Sequence, residues 1–249
     1  MRSLWHWGCE SMNKIAYGLA GLLLFSVPFF AKDSGNQVDS GTFSILINNR
    51  RMATETFSVQ QQSNGNSLIT SQFKDDGGGA MQNSELQLTP NGTLLSYEWH
   101  ETAPEKSSLK VVPDGEFLRQ TVIMKAGDKP AEQPFLIPPT SPILDNNFFV
   151  HREILAWRYL SASCTQETAG LKCGPGEFGV LIPQGRSSSH ITITPIGDEK
   201  LKIGTVEQTL LHINLKGDDG EWSLWLNTKD HYKLMRVTKT GEAVEIIRD

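Results

Sequence analysis

The sequence predicts a mainly β fold: a strongly curved antiparallel sheet, a half-barrel, with one amphipathic helix packed on it. Three observations predict it. Apolar and polar residues alternate in short runs along most of the chain after residue 40. Turn chemistry separates the runs, as at Asn48-Asn49, Pro90-Asn91-Gly92 and Pro113-Asp114-Gly115. A single stretch, residues 146–160, carries helical spacing instead.

The N-terminal segment comes first. Lys14 precedes an apolar run from Ile15 to Phe30, and polar residues begin at Lys32. A cation, an apolar stretch and a short polar exit make a secretory signal. Cleavage is expected after Ala31, with an uncleaved N-terminal anchor as the alternative. Met12-Asn13-Lys14 is a better signal start than Met1, so the true start is open between the two. Loss of residues 1–31 removes Arg2, Lys14 and Glu10, a net +1, so the formal charge of −5 becomes −6. Residues 32–40 are polar and read as a flexible leader, with a single domain over 41–249.

From Gly41 the alternation starts. Phe43, Ile45 and Ile47 share one face, and after the Asn48-Asn49 turn Phe57 and Val59 are flanked by Thr56, Ser58 and Gln60. Residues 67–74 repeat the pattern with Ile69 and Phe73. Residues 85–89 and 93–100 flank the Asn-Gly turn, with Leu95, Tyr97 and Trp99 alternating beyond it. Residues 109–112 and 116–125 flank Pro113-Asp114-Gly115. Together these make a meander.

Five prolines between residues 127 and 143 then predict an extended crossing loop, because proline lacks the N–H a ladder requires. Asp145 reads as an N-cap, with Leu144 and Phe149 placed as a hydrophobic staple. The helix over 146–160 sets Phe148, Leu155 and Tyr159 on one stripe and Val150, Ile154 and Trp157 on its neighbour. Cys164 and Cys173 follow. In an exported chain that has lost Cys9 they are an even pair, and a disulfide between them is expected. Strands resume over 177–182, 188–194, 203–215, 221–227, 232–238 and 243–248. Turns are expected at Gly197-Asp198, over 216–220, at Asp230-His231 and at Thr240-Gly241.

The closing text "WSLWLNTKDHYKLMRVTKTGEAVEIIRD" and the early "INNRRMATETFSV" resemble the closing and opening hairpins of periplasmic half-barrel proteins of the lipoprotein-carrier type and their bacterial relatives. The likeness is one of element order and spans most of the chain after the signal. It implies a curved sheet wrapped around helices, with an apolar concave face that in carrier members binds acyl chains or other lipids. It carries over no ligand or catalytic residue.

Composition excludes little. Charged residues at 20% and hydrophobic residues at 38% suit a soluble globular domain, and the absence of a basic block leaves nucleic-acid binding without electrostatic support. Catalytic patterns are incomplete. His100-Glu101 lacks the second histidine of a zinc-protease helix, since position 104 is proline. His151 and Glu153 stand two apart and do not share a helical face. The serines of residues 185–190 beside His190 lack the glycine pattern of a nucleophile elbow. Asp218-Asp219-Gly220-Glu221 lacks the alternating ligands of a calcium loop. No enzyme, cofactor or metal is therefore expected. The candidate ligand surface is the concave face: Phe43, Ile45, Ile47, Phe57, Val59, Tyr97, Trp99, Trp222, Leu224 and Leu226. The expected partner is a lipid or other hydrophobic molecule; the alternative is an envelope protein docked on an edge strand.

Overall fold

The computed structural model describes residues 35–104, 106–168 and 170–249. The predicted signal over 1–31 lies outside them.

The first wing of the sheet is β1 (Asn36–Ile47), β2 (Arg50–Gln61), β3 (Ser67–Asp75), β4 (Met81–Leu88), β5 (Leu94–Ala103), β6 (Ser108–Asp114), β7 (Phe117–Ile123) and β8 (Ala131–Phe135). After the helix α1 (Val150–Ser163) come a short pair, β9 (Cys164–Glu167) and β10 (Gly170–Cys173). The second wing is β11 (Gly176–Ile182), β12 (Ser187–Ile203), β13 (Val206–Gly217), β14 (Gly220–Asn227), β15 (Lys233–Lys239) and β16 (Val244–Arg248). Both wings belong to a single antiparallel 14-stranded sheet in which β1 and β16 are neighbours. The two ends of the domain therefore pair at the middle of the sheet, with Phe43 opposite Arg248 and Ile45 opposite Ile246. The outer edges are β8 and β11. The described residues make one compact unit.

Side-chain alternation sets the curvature inward. Val59, Ile69, Leu86, Tyr97 and Val111 lie opposite one another across five strands, and all are buried. On the other wing Ile213, Leu224, Val237 and Ile246 continue through Ile45 to Ala53. Such cross-strand rows give a half-buried sheet its register. The Asn48-Asn49 turn has φ of 53° and 60°, the left-handed pair that a two-residue hairpin requires.

The connection between the two wings fills the hollow. From β8 the chain crosses the concave side as a proline-rich strap. The Pro139 carbonyl accepts the Leu94 N–H, and residues 142–144 bond in parallel to the β11 edge through Leu181. Proline cannot donate, but its carbonyl still accepts, so the strap is bonded on the side where it matters. Helix α1 then packs against β9, β11 and β15.

Several local expectations need correction. Residues 36–40 are not a loose leader but the start of β1, paired with β2 as far as Asn36 opposite Gln61. The proline-rich stretch contains β8, an edge strand in which Pro134 is tolerated because its missing donor faces no partner. Gly197-Asp198 is no turn: a register shift between Pro195 and Gly197 makes it a bulge inside the long β12, and the reversal comes at Gly204. The helix begins at Val150, four residues late, because Leu144 is held to β11 and Asp145 is engaged elsewhere.

Cys164 caps the helix C-terminus and is bonded to Cys173, which lies directly opposite it in the β9–β10 pair. Replacing both by serine is expected to cost about 2–3 kcal/mol and lower Tm by about 5–10 °C. Calorimetry of the double variant checks this; a fall below about 2 °C would mean that the pair holds without the covalent link.

Candidate functional site

The sheet's inner face carries two different constellations beside α1. One is polar and sealed, and the other is apolar and open.

The sealed one surrounds the first helical turn. Phe149, the residue before the helix, offers no side-chain cap. The cap comes from the sheet instead. Glu55 on β2 accepts the N–H groups of Phe149 at 2.6 Å and Val150 at 3.3 Å, and the Ser71 hydroxyl at 2.7 Å. A carboxylate at a helix N-terminus satisfies orphan donors and meets the positive end of the helix dipole. Even so, complete burial pushes the Glu55 carboxyl up to about 7. Arg152 is buried between the Phe149 and Trp222 rings, 4.9 and 4.4 Å from their centres. Its Nε and Nη1 meet no acceptor among the described residues. Burial lowers its affinity for a proton to about 10.

Asp145 is not a cap. Its carboxylate accepts the Tyr97 hydroxyl at 2.6 Å and the N–H groups of Asn146 and Gln184. The Asp145 N–H donates to His151 Nδ1, and burial drives His151 down to about 3, so its ring is neutral. Glu153 points away from His151 and accepts the Leu234 N–H at 2.9 Å. It also meets Arg248, which bonds Asp39 at 2.6 Å. Burial, then the neighbouring Asp39, raises the Glu153 carboxyl well above its ordinary range. His151 and Glu153 thus serve separate partners. All five side chains of this turn region (Glu55, Asp145, His151, Arg152 and Glu153) are buried, so a substrate cannot reach them without lifting the helix.

The open constellation lies along another stripe of α1, facing β4 and the turn that follows it. A cleft of about 540 Å³ separates it from the β4–β5 hairpin, with Leu86, Leu88, Ile143, Ile154 and Trp157 as its apolar walls. That volume is within the 300–1,000 Å³ or so typical of small-molecule sites. Ile154, Leu88 and Trp157 are only partly buried. Trp157 is anchored by its indole N–H, which donates to the Tyr232 carbonyl at 3.0 Å. Arg158 stands at the rim, donating from Nη1 to the Gly92 carbonyl at 3.3 Å. A shallower groove of about 410 Å³ on the outer face of β2–β5 is lined mainly by polar side chains, of which Gln72 pairs with Asn83 and Glu98 with Lys110 on the neighbouring β6.

The ten concave-face candidates divide sharply. Phe43, Ile45, Phe57, Val59, Tyr97, Trp99, Trp222, Leu224 and Leu226 are core residues beneath the strap and helix. None lines the cleft beside α1. Ile47 is 43% exposed, because a bulge between Ile45 and Leu46 breaks the alternation before it. The hollow of the half-barrel is therefore filled, and the free apolar surface sits at its rim. The rim residues had a signal in the sequence: Ile154, Trp157, Arg158 and Ser161 form a second helical stripe beside the one the core needs.

The remaining motifs stay apart. His100 is exposed near Glu98, and Ser189 bonds Asp218 while its neighbour His190 faces Glu177. Asp219 accepts the Trp222 indole N–H. Among the described residues no three His, Cys, Asp or Glu side chains converge as metal ligands. In comparisons with known proteins, no protein-family model, no curated protein and no solved structure matches this chain.

Proposed function

We propose that this protein is an exported, periplasmic or secreted binding protein that holds a hydrophobic molecule in the cleft between α1 and the β4–β5 hairpin. One observation carries the reading: a cleft of about 540 Å³ whose apolar walls, Leu88, Ile154 and Trp157 among them, are left half-covered by the fold. Leaving such surface facing water is unfavourable by about 25 cal/mol per Å², and an apolar ligand recovers that term. The apolar run over residues 15–30 and the Cys164–Cys173 bond support an oxidising compartment. Edge-strand docking of another protein has less support. The β11 edge is engaged by the strap, and β8 is five residues long and interrupted by Pro134.

The neutral fluorescent reporter N-phenyl-1-naphthylamine tests the cleft. Binding to the wild-type protein is expected, and Ser161→Trp, a change at an exposed helical position on the cleft wall, is expected to weaken it at least about tenfold by filling the space. Tm should stay within about 2 °C, since the substituted position is outside the core. Equal reporter affinity in the folded variant would remove the cleft as the binding site.

A further inference from the structure

The walls of the cleft are apolar, but its rim carries one charge. Arg158 is the one ionisable side chain among the described lining residues. It lies half in the protein and half in solvent, and its guanidinium has no carboxylate within ion-pair distance among the described residues. Burial lowers its affinity for a proton, and no acidic neighbour opposes that effect. Several other arginines of the fold are paired with carboxylates: Arg51 with Asp76, Arg236 with Glu245 and Arg248 with Asp39. Unlike Arg152, which is sealed beneath the helix, Arg158 has donors to spare at a mouth open to solvent. Its hydrogen bond from Nη1 to the Gly92 carbonyl places the guanidinium at the cleft and leaves its remaining N–H groups without an acceptor among the described residues. Asn91 and Ser161, both exposed at the same rim, add neutral donors beside it.

Building on the cleft as the ligand site, we infer that its ligand is a single-chain amphiphile with an anionic head, the chain lying against Ile154, Trp157 and Leu88 and the head bonded by Arg158. A carboxylate or phosphate head suits the geometry, because a guanidinium presents two parallel N–H groups to a planar or tetrahedral oxyanion. An uncharged head leaves the guanidinium unpaired, and a cationic one meets like charge.

Three twelve-carbon probes with one chain and different heads separate the possibilities: dodecanoate, dodecan-1-ol and dodecyltrimethylammonium. Each competes below its micellar concentration with N-phenyl-1-naphthylamine on the full chain at pH 8. Dodecanoate is expected to displace the reporter at about 10- to 100-fold lower concentration than the other two, the range a charge-assisted bidentate bond provides. Arg158→Met is expected to bring the three probes level while the reporter itself still binds. Equal displacement by all three in the wild type overturns the head-group assignment and leaves the apolar cleft standing. Anion preference that survives in Arg158→Met overturns the role of Arg158. If the reporter does not bind, or no probe displaces it, the cleft reading fails as well.

Discussion

Replacing Glu55 by alanine is expected to cost about 3–5 kcal/mol, a large share of the 5–15 kcal/mol or so that holds a domain folded. The change strips the partner from three buried donors at once: the Phe149 and Val150 N–H groups and the Ser71 hydroxyl. Each orphaned donor costs about 1–3 kcal/mol. It also takes from Arg152, buried between two rings, one of the three carboxylates, with Asp219 and Asp145, that favour its charge. Urea unfolding of the variant measures the loss, and a cost under about 1 kcal/mol would mean the helix is seated by packing alone.

The same residue fixes a pH dependence. Burial raises the folded carboxyl from an ordinary 4.5 to about 7, so the folded state holds a proton that the unfolded chain has already released. This stability is present in full below pH 4.5 and is lost as pH rises through 7. At about 1.4 kcal/mol per unit it amounts to about 3 kcal/mol. Glu55→Gln removes the titration, so the stability of wild type minus that of the variant is expected to be about 3 kcal/mol more positive at pH 4.5 than at pH 7.5. His151 works in the opposite direction. Its folded value of about 3 lies below the ordinary 6.5, so stability is lost as pH falls from 6.5 toward 3. In the wild type the two slopes oppose each other between pH 4.5 and 6.5, and Glu55→Gln exposes the His151 slope.

Arg248→Met is expected to be of similar size, about 3–5 kcal/mol, although Arg248 is the penultimate residue. Its side chain is 8% exposed, and its guanidinium bridges two buried carboxylates, Asp39 at 2.6 Å and Glu153 at 3.4 Å. It also donates to the Ser40 and Leu234 carbonyls. It therefore ties the start of β1, the end of β16 and the helix to one point. Methionine preserves much of the aliphatic packing, including contact with the Phe43 and Phe57 rings, so the loss reports the charge rather than the volume. With the cation gone, Glu153 is pushed further up by Asp39, and the cost is expected to be greater at pH 8 than at pH 5. Chemical denaturation at the two pH values checks both size and direction; a neutral result at both would mean that the cation contributes nothing to holding these elements together.

The buried cluster was only partly legible. Alternation through Phe57 and Val59 extends backward to place Glu55 on the same inward side, and a carboxylate on a core face signals a buried partner. Nothing local says that the partner is a helix N-terminus 94 residues away. Asp145 shows the converse. Its type and position suit an N-cap, but Tyr97 on β5 takes the carboxylate and β11 takes the neighbouring backbone, so a local preference of about 1 kcal/mol gives way to several long-range bonds. Trp157 was visible on the second helical stripe with Val150 and Ile154, while Arg158 beside it was not singled out. That the stripe borders a cleft depends on where the helix packs.

What the sequence determined by itself is the local and periodic part: inward-facing strands, left-handed turns such as Asn48-Asn49, the helix that follows the proline-rich stretch, and a cysteine pair nine residues apart. Each of these is written in neighbouring residues, because backbone torsion and side-chain parity are set within a few positions. The tertiary structure alone decided that β1 and β16 meet mid-sheet, that the strap and helix plug the hollow, and that the open apolar surface lies at its rim. These depend on which distant surfaces fit together, a matter of shape and volume that no short stretch of sequence encodes.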